Sequence, residues 1–267
     1  MFRLTNIARF AFISLAWALM CHCASAITLD WDAASWTNGS LTGSNSGVDI
    51  TVTSTSPTFQ GSTVAPSPMT PAITRAFDGG LSPGEKSLEL SIDFPNQAQN
   101  HFITVTITFN AAVYASGAMD VSFKLFDIDY DNANSTYQDR IFNISATTVG
   151  GAPLTPTVSN LGSAVNYDSN SRVLTGTSSV VDLNNAGSGN GNAQINVNES
   201  FIRSITFSYG ASTAFNNPTY QHIGIHDINF TPVPEVNPAL AAGGVCAVAL
   251  VVAMRRRAAL ARKSDSV

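Results

Sequence analysis

The chain has 267 residues and a formal net charge of −5, and only 12% of its residues are charged. Between Ile27 and Glu235, 6 basic and 17 acidic residues give a charge of −11, which disfavours nucleic acid as a partner. All 3 cysteines, Cys21, Cys23 and Cys246, lie outside that segment. A disulfide framework and a thiolate metal site are therefore excluded from it.

The N-terminal segment, residues 1–26, has the three regions of a secretory signal peptide. Two arginines precede the apolar run 10–20, and Ala24 and Ala26 form an Ala-x-Ala cleavage site. We predict cleavage after Ala26, so that the mature chain begins at Ile27. A lipid anchor on either leader cysteine is disfavoured, because the residue before each of them is not small.

The segment 27–231 is predicted to be a single all-β domain. It is rich in Ser, Thr, Asn, Gly, Val and Ile, which favours strands joined by turns. In 88–94 and 103–109, apolar residues alternate strictly with polar ones, as in an antiparallel sheet with one face on a core and the other in water. The other predicted strands are Val48–Thr53, Val121–Ile128, Ile141–Thr148, Arg172–Leu174, Ala193–Val197, Ile202–Tyr209 and Ile223–Phe230.

About ten short strands in roughly 200 residues predict an antiparallel two-sheet sandwich of jelly-roll type. Two stretches are predicted to be loops. Ser54–Arg75 carries four prolines, and Asn184–Asn192 consists largely of Asn, Gly, Ala and Ser.

The densest group of carboxylates begins on the predicted strand Val121–Ile128 and runs into the loop after it. Asp127, Asp129 and Asp131 stand at every second position, and Asp139 follows them in the chain. Carboxylates this close repel one another unless a positive charge neutralises them, and Ca²⁺ takes six to eight oxygen ligands. These four residues are our predicted calcium site. Two alternatives stay open: the aspartates cap turns by accepting bonds from backbone amides, or they pair with Arg140.

Other signals for chemistry are weak. His222 and His226 would lie on one face of a strand about 13 Å apart, too far to share a metal, so we interpret them as surface histidines. Gly80-Leu81-Ser82-Pro83-Gly84 matches the Gly-x-Ser-x-Gly pattern, but no helical pattern follows it as in a nucleophile elbow, and we predict that the protein is not an enzyme. The aromatic residues considered as a carbohydrate platform are Trp31, Trp36, Tyr130, Tyr137, Tyr167 and Tyr220.

The C-terminal segment has three consecutive parts. A short motif, Val233-Pro234-Glu235, precedes an uncharged apolar run from Ala239 to Met254, and Arg255, Arg256 and Arg257 follow. We predict one transmembrane helix over 239–254. The arginines would lie on the cytoplasmic side and the β domain 27–231, the body of the protein, on the outside.

This three-part tail resembles the PEP-CTERM sorting signal of bacterial envelope proteins. The family motif reads Val-Pro-Glu-Pro, and here the fourth residue is Val236. The resemblance covers 232–263 and implies that an exosortase, a membrane-embedded cysteine protease, processes the tail. It implies inner-membrane anchoring first, and display at the cell surface or release afterwards.

These observations predict an exported, non-enzymatic protein with a structural or adhesive role in the envelope or extracellular polysaccharide matrix. Its expected partners are the exosortase, the inner membrane before processing, and polysaccharide. The alternative is a calcium-stabilised carbohydrate-binding module or a hydrolase that acts on polysaccharide.

Overall fold

A computed structural model describes residues 24–55, 57–82, 84–95, 101–131, 137–179, 189–212 and 220–235. These ranges consist of strands, turns and irregular segments, and they contain no helix long and apolar enough to cross a membrane. Most of the predicted signal peptide, the predicted transmembrane helix 239–254 and the arginines 255–257 lie outside the described residues.

The described part of the chain is all-β, as predicted, and its strands pair antiparallel. The strands are β1 Ile27–Leu29, β2 Thr42–Asn45, β3 Val48–Ser54, β4 Thr58–Phe59, β5 Ala72–Thr74, β6 Ser87–Asp93, β7 Phe102–Phe109, β8 Ala118–Phe126, β9 Asp139–Thr148, β10 Pro153–Leu154, β11 Thr157–Ser159, β12 Val165–Asp168, β13 Val173–Gly176, β14 Ala193–Val197, β15 Ile202–Ala211, β16 Gln221–Ile225 and β17 Ile228–Pro232.

The strand pairings fall into two groups. The first runs β2–β3–β7–β15–β9–β13–β12, and β10 also pairs with β9. In the second group, β8 is central and pairs with β14 on one side and with β16 and β17 on the other. β11 pairs with the outer edge of β14, and β1 pairs with β17. β6 pairs with β16, and β4 and β5 pair with β6. The single pair Ile202–Ala118 joins β15 to β8, so the described strands form one continuous curled sheet.

Aromatic contacts join the two groups across the core. The rings of Phe109 on β7 and Phe230 on β17 have centroids 4.9 Å apart, and those of Phe123 on β8 and Phe207 on β15 are 6.1 Å apart. All four side chains are buried. Such ring pairs add to the stabilisation from burial itself. Two faces that pack on each other in this way are consistent with the predicted sandwich.

The alternating pattern predicted the core face of β7 correctly. Ile103, Val105, Ile107 and Phe109 are buried, and the threonines between them are half-buried. The prediction of a continuous loop over Ser54–Arg75 was wrong, because β4 and β5 lie within it. Strands of two or three residues are too short to show a period.

On β6 the alternation was misleading. Leu88, Leu90 and Ile92 are buried as predicted, but Glu89 and Ser91, expected in water, are buried as well. The chain between β4 and β6 covers this polar face. Glu89 accepts hydrogen bonds from the Ser62 and Thr74 hydroxyls and from the Thr63 amide.

We predict that Glu89→Gln lowers the free energy of unfolding by about 1–3 kcal/mol. Both carboxylate oxygens of Glu89 accept hydrogen bonds. In Gln one of these oxygens is replaced by an NH₂ group, which cannot accept, so a buried donor loses its partner. Urea unfolding of the full chain measures the change. Asp93→Asn, at the half-buried end of the same strand, is the control, and an equal loss in both variants would contradict the assignment.

Candidate functional site

The predicted strand Ile223–Phe230 is interrupted, and the interruption creates a site. β16 ends at Ile225, β17 begins at Ile228, and His226 and Asp227 stand between them. Both segments pair with β8, but β16 pairs with β6 on its other side and β17 with β1. The residues before β6 and those after β1 therefore meet at the interruption.

Three side chains from two distant segments converge there. One ligand atom each of Glu85, His226 and Asp227 can be chosen so that all three lie within 4.8 Å of one another, and within the described ranges this is the one such group of three. Glu85 Oε1 lies 3.2 Å from His226 Nε2. The side chains of His226 and Glu85 are 14% and 24% exposed, so the group is shielded but reachable from solvent.

The fold fixes the orientation of this group. The amide of Trp31, which is buried, donates to Asp227 Oδ1 at 2.9 Å. The imidazole of His226 lies on the Phe126 ring, with centroids 5.0 Å apart, and its backbone amide donates to the Lys124 carbonyl. Burial raises the pKa of Asp227; the bond from the Trp31 amide and the neighbouring His226 act to lower it, and the carboxylates of Asp30 and Glu85 act to raise it.

The nearby lysine is engaged elsewhere. Lys86 Nζ lies 3.4 Å from Asp32 Oδ1 and also donates to the Asp32 carbonyl. Besides the contact of His226 with Glu85, this is the ion pair that the structure gives for the described residues. One imidazole nitrogen and two carboxylates are the donor set that divalent transition metals take.

Sequence reasoning missed Glu85 and Asp227 as a pair. One signal was present: apolar residues stand at Ile223 and Ile225, but the next core residue is Ile228 rather than residue 227. This change of parity marks an irregularity in a strand. This irregularity does not identify Glu85, which lies 141 residues before His226 in the chain.

The predicted calcium residues are distributed differently. β8 ends at Phe126, and Asp127 adopts a left-handed backbone with φ of 63°, so the three aspartates do not follow one extended strand. Asp129 and Asp139 are buried, while Asp127 and Asp131 are half-buried. Calcium binding by these four residues stays a prediction.

Asp129 and Asp139 are brought together by hydrogen bonds at the base of the loop. The Asp139 amide donates to the Asp129 carbonyl, and the Asp129 amide donates to Asp139 Oδ2. The Tyr209 hydroxyl donates to Asp139 Oδ1 at 2.7 Å, and the Tyr137 hydroxyl donates to Asp129 Oδ2 at 3.3 Å. Asp139 therefore accepts a hydrogen bond from a backbone amide, as in the first of the two alternatives to calcium binding.

The electrostatics of this network follow from burial. Burial, and then the charge of Asp129, raises the pKa of Asp139 well above its usual value. Burial and the nearby carboxylates also raise the pKa of the Tyr137 and Tyr209 hydroxyls. Arg140, the other partner considered, places its guanidinium 4.4 Å from the centre of the Phe142 ring.

The aromatic candidates for a carbohydrate platform are largely committed to packing. Trp31 is fully buried and Trp36 is half-buried over Gly43, where an added Cβ would meet its ring at 2.3 Å. Tyr130, Tyr137 and Tyr167 are half-buried as well. Tyr220, at 56% exposure, is accessible.

The histidines are not the surface residues that the sequence suggested. His222 is half-buried against Phe77, with ring centroids 5.9 Å apart, and its Nδ1 is buried without a hydrogen-bond partner. Burial lowers the pKa of His222 to about 4.

Parts of the predicted targeting signals are described. Ala24 is half-buried, Ala26 is exposed, and β1 begins at the next residue. The Val233 amide donates to the Gly117 carbonyl, and Pro234 and Glu235 are exposed.

Three clefts in the described surface bear on the hydrolase alternative. The first is lined by 64–66, Pro68, 73–75 and Lys86, the second by 143–145 and 170–172, and the third by 42–44 and 49–51. None of these three combines two carboxylates with an aromatic ring. Neither a comparison with protein-family models nor a search of curated proteins finds a match to this chain.

We predict that Tyr209→Phe destabilises the protein by about 1–3 kcal/mol, because Asp139 Oδ1 then loses its donor in a buried site. Urea unfolding of the full chain measures the loss. The control is Tyr167→Phe, which removes a hydroxyl from a half-buried ring elsewhere. Unchanged stability in Tyr209→Phe would show that the bond is not formed.

We predict that His222 makes stability depend on pH. Its pKa is lowered in the fold, so its contribution is present above about pH 6.5 and is lost as the pH falls towards 4, on the order of 3 kcal/mol in all. In His222→Leu this loss is absent. Unfolding free energies at pH 7 and pH 4 test this, and an equal pH dependence in both proteins would contradict it.

Proposed function

We propose that the chain is an exported bacterial envelope protein whose β-sheet body is displayed outside the inner membrane in a structural or adhesive role. In this proposal the curled sheet closes as a jelly-roll-like sandwich. The body is not an enzyme, and an exosortase removes the C-terminal tail.

The observation that carries this proposal is the position of the folded body between the two predicted signals. β1 begins at Ile27, the residue after the predicted signal-peptide cleavage site. β17 ends at Pro232, immediately before the motif Val233-Pro234-Glu235. A leader and a sorting tail with these bounds could both be removed without cutting a strand.

The pairing of the first and last strands adds a second argument. Ile27 lies opposite Phe230 and Leu29 opposite Ile228, so the two ends of the body are neighbours in one ladder. Ser25 and Ala26, which precede β1 in the chain, and Pro234 and Glu235, which follow β17, are exposed. Exposed chain is what a processing protease requires.

The composition of the body suits an exported scaffold. The 17 acidic and 6 basic residues between Ile27 and Glu235 favour solubility, and this segment has no thiol that an oxidising compartment would alter. Polysaccharide remains a proposed partner, but the burial of Trp31 removes one of the two tryptophans considered for stacking on a sugar.

We predict different C-termini in hosts with and without an exosortase. With the enzyme, the mass of the recovered protein corresponds to a chain that begins at Ile27 and has lost its apolar tail. Without it, the tail is retained and the protein stays in the inner-membrane fraction. Intact-protein mass spectrometry measures both ends.

A matched pair of substitutions tests the motif. Glu235→Gln is expected to reduce processing, and Glu199→Gln, an exposed glutamate of the body, is expected to leave it unchanged.

If the unmodified protein has the same C-terminus in the hosts with and without an exosortase, the sorting proposal is wrong and the tail is not processed.

A further inference from the structure

We propose that Glu85, His226 and Asp227 form a binding site for a divalent transition-metal ion such as Zn²⁺, which binds both imidazole nitrogen and carboxylate oxygen. This site is separate from the calcium site that the sequence predicts at Asp127, Asp129, Asp131 and Asp139. It also does not depend on the proposed sorting of the protein.

The first argument is the spacing of the donor atoms. Zinc bonds to imidazole nitrogen and carboxylate oxygen are about 2.0–2.2 Å long, so two ligands in a tetrahedral site lie roughly 3.4 Å apart. His226 Nε2 and Glu85 Oε1 are 3.2 Å apart, and an Asp227 oxygen lies within 4.8 Å of both. An ion can therefore be accepted with small side-chain movements.

The second argument is the support behind the ligands. Metal-binding carboxylates are commonly held by a hydrogen bond from outside the site, and here the Trp31 amide holds Asp227. Trp31 is itself fully buried. The Phe126 ring packs against the His226 imidazole. Two of the three ligands, Asp227 and His226, are thus held by buried groups.

The third argument is charge. Two carboxylates, Glu85 and Asp227, converge with Asp30 nearby, while the lysine of the same segment, Lys86, is bonded to Asp32. A bound metal ion would balance these charges. The competing explanation is that His226 is protonated and forms a simple ion pair with Glu85. The two explanations differ in whether a metal ion binds.

Three protein ligands leave coordination positions for water or for another molecule. Because Glu85 and His226 remain partly exposed, the ion would be accessible from solvent. The site would also join the segment before β6 to the β16–β17 interruption, so a bound ion would stabilise the fold.

The experiment uses the full chain, freed of metal with a chelator. Its 3 cysteines are blocked with iodoacetamide first, since thiolates also bind zinc. Calorimetric titration with Zn²⁺ is expected to give one ion per chain. Near 100 times the dissociation constant, the melting temperature is expected to rise by about 5–10 °C. Co²⁺ provides an optical probe of the same site.

Substitutions decide where the ion binds. Glu85→Gln, His226→Gln and Asp227→Asn are each expected to weaken Zn²⁺ binding at least tenfold. Asp93→Asn and His222→Gln, a carboxylate and a histidine outside this group, are the controls and should bind as the unmodified chain does. Glu85→Gln is the decisive variant, because the one side-chain bond that the structure gives Glu85 is to His226.

Three results would overturn the proposal. The first is the absence of Zn²⁺ and Co²⁺ binding, with melting temperatures that depend on pH alone, as the ion-pair explanation requires. The second is binding that persists in Glu85→Gln and His226→Gln. The third is an ion whose binding is lost in Asp129→Asn or Asp131→Asn but not in the three site variants, which would place it at the predicted calcium site.

Discussion

The interruption of the last strand between Ile225 and Ile228 is the constraint on which the arrangement of the body depends. On one side of it the chain pairs with β6, and on the other it pairs with β1. The two residues that belong to neither strand, His226 and Asp227, therefore stand where these two partners meet. Asp227 then holds the turn after β1 through the Trp31 amide, across 196 residues of sequence.

Buried polar contacts tie the surface segments of this domain to the sheet in the absence of covalent cross-links. No cysteine lies between Ile27 and Glu235, so no disulfide can tie the surface segments to the sheet. Instead, Glu89 receives three donors from the segment that covers β6, and Asp139 receives the hydroxyl of Tyr209 from β15. A buried carboxylate is tolerated when its oxygens are satisfied, and removing one donor is costly.

How much of this the sequence reveals depends on the range of the interactions. Strict alternation is a local signal, and it identified the core residues of β7 from Ile103 to Phe109. Alternation could not reveal that another segment covers Glu89, because it predicts which side chains share a face of the strand but not whether that face is exposed to solvent. It also could not bring Tyr209 to Asp139, since these residues are 70 positions apart.

The candidate metal site also depends on contacts between residues that are far apart in the sequence. The shift in spacing between Ile225 and Ile228 is visible in the sequence, but Glu85 joins His226 only through the register of β6 with β16. The aspartate motif was conspicuous because its carboxylates are adjacent in sequence. In the structure the left-handed Asp127 turns the chain there, and Asp129 and Asp139 form a hydrogen-bonded base for the loop.

The central claim is that the first strand of the body is held by the last, beside the interruption. Hydrogen exchange followed by mass spectrometry measures this directly. We expect peptides covering 26–32 and 226–232 to be protected to a similar degree and to lose protection together as urea is added. Rapid exchange throughout 26–32 while 226–232 stays protected would contradict the account, because β1 would then not be part of the sheet.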